Sequence, residues 1–117
     1  MAVSGLFYIV NLTGTPLNFA NTEHSGNDRR IDKDRLGAIG NAWTPWCDNQ
    51  DQFADHHFSL SSEDGSVNFA IWQSGNQILS TSDGKWSATA SYILDKVGVS
   101  YALVVLDGKT LKAVEIT

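Results

Sequence analysis

The feature that most limits what this chain can fold into is its punctuation. Turn-forming clusters recur at short intervals: Thr13-Gly14-Thr15-Pro16, Ser25-Gly26-Asn27, Gly37 to Gly40, Asp64-Gly65, Ser74-Gly75-Asn76, Asp83-Gly84, Gly98 and Asp107-Gly108. Asp-Gly and Gly-Asn pairs supply the positive φ that tight hairpin loops demand. The runs between them are strand-length and rich in Val, Ile, Phe, Tyr and Trp, which suit a pleated, half-buried surface, whereas Leu and Ala seldom recur at helical spacing. The chain therefore reads as all-β.

Four hairpins are legible. Phe58, Leu60, Val67, Phe69 and Ile71 fall on one face around Asp64-Gly65, which leaves Ser59, Ser61, Asn68 and Trp72 on the other. Around Asp107-Gly108 the continuous apolar run from Tyr101 to Leu106 meets the looser alternation of Leu111 to Ile116, as a central strand meets an edge strand. Gln77 to Thr81 and Lys85 to Ile93 make a third hairpin at Asp83-Gly84. Leu6 to Leu12, turning at Thr13-Gly14 into Leu17 to Phe19, makes a fourth. Residues 21–57 are polar and turn-rich. Within them Asn27 to Arg35 interleaves both charge signs and reads as a solvated edge or loop, not a phosphate-binding patch.

About ten short strands joined by tight hairpins predict an antiparallel β-sandwich. The alternative is a β-trefoil of three similar repeats. The similar segments starting at Phe7, Phe58 and Tyr101 lie 51 and then 43 residues apart with no room for a further repeat, so the sandwich is preferred.

Composition fits a single domain over residues 1–117. A chain of 117 residues, 42% of them hydrophobic, buries roughly two-thirds of its unfolded surface and needs no staples. The lone Cys47 closes no intramolecular disulfide. The opening residues lack a basic leader segment, and the apolar run Leu6 to Val10 is too short for a signal core or a membrane span, so a cytoplasmic location is expected. The net charge of -5 argues against nucleic acid as a partner, because phosphate neutralisation needs clustered Lys and Arg.

The densest chemistry lies between Trp43 and His57. Cys47 with His56 or His57 would be a nucleophile and base, and Cys47, Asp51, Asp55, His56, His57 and His24 would be a metal set. Neither carries a flanking motif or ligand spacing, and adjacent His residues on a strand point to opposite faces. Asp48, Asp51, Asp55, Glu63 and Asp64 offer carboxylates for glycoside hydrolysis, in a surface where solvated carboxylates are the default. No catalytic residue, metal ligand or cofactor is assigned, and an inert packed thiol is the expectation for Cys47. Asn11-Leu-Thr13 is a glycosylation sequon, expected to be unused where there is no secretory signal.

The tryptophans carry more. Of the four, Trp46, Trp72 and Trp86 sit beside turns or amides. An aromatic face that stacks on a sugar ring, with carboxylates and amides bonding its hydroxyls, is what saccharide recognition needs. The candidate binding residues are accordingly Trp46, Asp48, Asn49, Asp51, His57, Trp72, Gln73, Asn76 and Trp86.

The segments Ile9 to Leu17, Pro45-Trp46-Cys47 and Ile71-Trp72-Gln73-Ser74-Gly75-Asn76 together give the chain a type-level likeness. It resembles the small, signal-less, acidic all-β proteins of fungi and bacteria, the aegerolysins and the actinoporin-like fruiting-body lectins. That resemblance implies a non-enzymatic recognition or defence protein that binds glycans or membrane lipids. The leading expectation is a lectin-like protein whose partners are glycans or glycoconjugates. The alternatives are a membrane-lipid binder of the cytolysin kind, with aromatics at headgroup level, and an enzyme or an enzyme inhibitor using the long 21–57 segment. The apolar strand Tyr101 to Leu106 further predicts pairing into a homodimer or higher homo-oligomer, through which a lectin gains avidity.

Overall fold

A computed structural model describes residues 3–116. Among the described residues there are ten strands: β1 (Gly5–Asn11), β2 (Leu17–Asn21), β3 (Arg29–Ile31), β4 (Arg35–Trp43), β5 (Phe58–Ser61), β6 (Asn68–Ser74), β7 (Gln77–Thr81), β8 (Ser91–Leu94), β9 (Ser100–Val105) and β10 (Leu111–Ile116). They form a β-sandwich of two mostly antiparallel sheets, ordered β10-β9-β1-β4 and β3-β2-β5-β6-β7-β8. Two open sheets of unequal width leave no place for the three-fold trefoil. Among the described residues, no helix is long and apolar enough to cross a membrane.

The Asx-Gly hairpins form where the periodicity places them. Phe58 pairs with Ile71 and Leu60 with Phe69, and Leu111 pairs with Val105 across the Asp107-Gly108 turn. Ser74 pairs with Gln77, so Gly75 and Asn76 make a two-residue loop, with Gly75 at φ 58°. The third hairpin differs: β7 does pair with β8, but through the nine-residue excursion 82–90 rather than a tight turn at Asp83-Gly84.

The expected first hairpin does not form. β1 and β2 belong to different sheets, and the Thr13-Gly14 turn is a crossover between layers. β1 instead lies between β4, antiparallel, and β9, in parallel. Its apolar run is thereby flanked on both edges in the middle of its sheet. The second difference is β4. Gly37 to Gly40 is not a turn but part of a nine-residue edge strand, and Gly40 (φ 79°) and Asn41 (φ 68°) form a bulge opposite Phe7. Positive φ here re-aims a strand instead of reversing it.

Between the sheets lies one continuous core, in which Leu6, Ile9, Leu17, Phe19, Ile31, Phe58, Leu60, Ile71, Ile78, Tyr101 and Leu103 are all buried. Phe19 and Phe58 pack tilted with ring centroids 5.0 Å apart. A second, smaller layer lies on the outer face of the six-stranded sheet. There Trp72, Ala70 and Cys47 are buried beneath Phe53, Leu79, Trp86 and Ala90. The four-stranded sheet carries no such cover, and its outer rows of Leu36, Val10 and Val104, and of Ala38, Tyr8, Ala102 and Val114, are open to solvent or half-buried.

Candidate functional site

The sequence-derived binding residues divide into three groups. Trp72 and Gln73 are interior. Trp72 is 1% exposed and meets the Phe53 ring edge-on at 5.5 Å, so it caps the second layer and offers no stacking face. Gln73 faces the opposite way, into one end of the main core, where its Oε1 accepts the Ser4 N–H at 3.1 Å. These two are corrected to structural residues, because β6 is covered on both faces.

A second group shapes the 44–57 segment. The Trp46 indole N–H donates to Asp48 Oδ2 (2.9 Å), and the Ser74 hydroxyl donates to Asp48 Oδ1 (2.8 Å), so both Asp48 oxygens are used. Asn49 caps the short 3-10 helix Gln50–Asp55 by accepting the Gln52 N–H. His57 stacks on Phe53, with centroids 4.0 Å apart and planes within 5°, and its Nδ1–H donates to the Phe53 carbonyl at 2.6 Å. Burial pushes its pKa below the ordinary histidine value. Of the rest, Asp51 is exposed in the first turn of that 3-10 helix, and Asn76 and the half-buried Trp86 lie on separate turns.

The thiol and the other imidazoles have local roles. Cys47 is buried with its S–H directed at the Asn49 carbonyl (3.2 Å), and burial pushes its pKa up. His56 Nδ1 lies 2.8 Å from the Glu23 carboxylate at the surface. Among the described residues no three His, Cys, Asp or Glu side chains group closely enough to hold a metal ion. A buried polar seam fixes this end of the sandwich: the Thr44 hydroxyl bonds the Ser4 carbonyl (2.8 Å) and the Tyr101 hydroxyl (2.7 Å), while Gln73 and Pro45 pair by backbone. Burial raises the Tyr101 phenol well above its ordinary pKa, which keeps it neutral.

A concave surface lies elsewhere. Along one open side of the sandwich, β8 of one sheet approaches β10 of the other, and a cleft of about 680 Å³ opens between them. That is within the range of small-ligand clefts, roughly 300–1,000 Å³. One wall is the 80–93 segment, lined by Ser80, Thr81, Ser82, Asp83, Ser87, Thr89 and Ser91, with Tyr92 at its edge, where it pairs with Leu79 of the outer layer. The other is the β10 hairpin, with Thr110, Lys109, Lys112 and Ala113, and the buried Phe69 also lines the cleft. Tyr92 is 67% exposed beside the first wall.

Both walls are held by their own turn chemistry. Asp83 Oδ1 accepts the Lys85 N–H (3.0 Å), Thr81 donates to the Lys85 carbonyl (2.6 Å), and the Ser87 and Thr89 hydroxyls bond at 3.0 Å. Across the cleft, Asp107 accepts the Lys109 N–H (2.8 Å), and that bond with the Thr110 hydroxyl holds its carboxyl below the ordinary range. Gly108 lies so close to the 62–66 turn that a Cβ would overlap the Ser66 carbonyl oxygen, which docks the hairpin tip in place. The site is thus preformed, and ordering it on binding costs little.

Sequence reasoning missed this site, although one signal was there. Six of the twelve residues from 80 to 91 are Ser or Thr. Their approach to the β10 hairpin depends on how the two sheets stack, which no local pattern reports. Trp43, 70% exposed at the end of β4, was likewise not singled out.

The fold and site together define a two-layer β-sandwich with a hydroxyl-lined cleft at its open edge. No protein-family model matches the chain, and neither a curated protein nor a solved structure matches it.

Proposed function

We propose that the protein is a non-enzymatic, lectin-like carbohydrate-binding protein and that the β8–β10 cleft is its binding site. The observation that carries this reading is the residue composition of the preformed cleft, seven Ser and Thr residues with Asp83 and Lys109, beside the exposed Tyr92. A sugar presents exactly two kinds of surface to such a site: an apolar ring face and a rim of hydroxyls. Tyr92 stacks on the first. Ser80, Thr81, Ser87, Thr89 and Asp83 exchange hydrogen bonds with the second, each donor or acceptor replacing one that water supplied. The stacking platform is therefore not the Trp46, Trp72 and Trp86 set, of which Trp72 is internal.

A glycan array followed by calorimetry on the best ligand tests the reading. Wild-type protein is expected to bind at least one oligosaccharide class, and Tyr92→Ala to weaken that binding about tenfold or more, equivalent to about 1.4 kcal/mol. Because Tyr92 is mostly exposed, the substitution leaves the core intact. Folded wild-type protein that binds no glycan, or an unchanged Kd in Tyr92→Ala, overturns the reading.

A further inference from the structure

Antiparallel sheets that face water on one side alternate apolar-in with polar-out. The β10-β9-β1-β4 sheet does not. Its outer face is built of aliphatic and aromatic side chains across all four strands, with Leu36 58% and Val114 50% exposed at its two edges and Tyr8 and Val104 between them. The one charge in these cross-strand rows is Lys112, at the β10 edge, in a chain with 8 basic and 13 acidic residues. β9 is apolar on both faces, the pattern of a strand covered on both sides.

We propose that this face is covered by the same face of a second copy, in a twofold dimer packed sheet on sheet. The area suffices. A standard interface takes about 800 Å² from each partner, about an eighth of this molecule's 6175 Å², and the two longer extents of the molecule, 35 and 30 Å, leave room for it. The geometry suits as well, because sheets stack face to face at about 10 Å, the spacing between the layers of a sandwich.

Symmetry adds a condition that the face meets. A twofold contact brings a surface onto itself, so a charge near its centre would meet its own copy. With the axis along the strands, β10 of one copy lies over β4 of the other. The two Lys112 side chains are then kept at opposite rims, each free to reach water. A bilayer is the poorer occupant, since the face lies on regular strands with Lys112 as the one charge in its rows, not on a protruding aromatic loop ringed by basic residues.

Sedimentation velocity between about 10 and 100 µM tests this, a range that brackets dissociation constants typical of modest dimers. The expected species has twice the 12.8 kDa chain mass. Leu36→Lys and Val114→Lys, each at a position already half exposed, are expected to sediment as monomers with unchanged circular dichroism. Wild-type monomer throughout the range overturns the proposal, as does dimer retained in both variants. Binding to phosphatidylcholine vesicles that both variants lose, by a protein monomeric in solution, also overturns it and assigns the face to lipid.

Discussion

Asn11 shows how one side chain can serve the joint between two sheets. It is fully buried at the end of β1, and its Nδ2 donates to the carbonyls of Thr15, Ile31 and Asp32 at 2.8–3.2 Å. Its Oδ1 accepts from the Thr13 N–H and hydroxyl. The crossover from one layer to the other and the end of β3 are therefore tied to a single amide. The sequon at this position has a structural meaning instead: the amide nitrogen that a glycan would need is fully engaged. Asn11→Asp would set a carboxylate against three carbonyl oxygens, whose lost donors each cost about 1–3 kcal/mol when buried, and more beside a charge. Unfolding by urea at pH 7 is expected to show a loss of about 3 kcal/mol or more. A loss below about 1 kcal/mol would mean the crossover is held by something else.

At the scale of elements, what was legible and what was not follows from the range of the interactions. The β5–β6 and β9–β10 hairpins were readable because turn chemistry and two-residue alternation are local, and both put the apolar parity inward. β4 was not, since glycine signals a turn and a bulge alike, and only its pairing with β1 shows which. Trp46, Asp48, Asn49, Asp51 and His57 of the 44–57 segment were read as binding residues. The segment is a lid over Trp72, and His57 is one of its fasteners. This gives a pH dependence with a definite sign. Burial lowers the His57 pKa below 6.5, so the unfolded chain binds the proton more readily and stability rises with pH. The contribution is complete above pH 6.5 and declines as pH falls from 6.5 towards the lowered native value. Asp64, held at about 2 by the Ser66 N–H and the Ser62 and Ser66 hydroxyls, loses its contribution in a separate window, from 3.8 down to about 2. His57→Phe keeps a ring on Phe53 and removes the proton. Its melting temperature is expected to lose the slope just below pH 6.5 while keeping the steeper fall below pH 4. An unchanged slope below pH 6.5 would clear His57 of the effect.

At the scale of the whole molecule, the sandwich was legible and the candidate site was not. Tight turns and strand alternation are enough to call for two sheets. A cleft formed where β8 of one sheet approaches β10 of the other depends on how the layers stack, and two of the tryptophans that looked like a platform, Trp72 and Trp86, belong to a second core layer. The two proposals now make a joint prediction that neither makes alone. A twofold dimer built on the outer face of the four-stranded sheet carries two β8–β10 clefts, one per copy, and so can cross-link glycan-bearing surfaces. Leu36 lies on β4, at the edge of that sheet opposite β10 and its cleft residues. Leu36→Lys is therefore expected to leave calorimetric binding of a monovalent oligosaccharide within about twofold of wild type, since differences under about 0.4 kcal/mol are not meaningful here. The same variant is expected to lose agglutination of cells or glycan-coated beads altogether, and Tyr92→Ala to lose both. Agglutination that survives Leu36→Lys at concentrations where the variant sediments as a monomer would place two glycan sites on one chain, and valency would then come from the cleft rather than from the dimer.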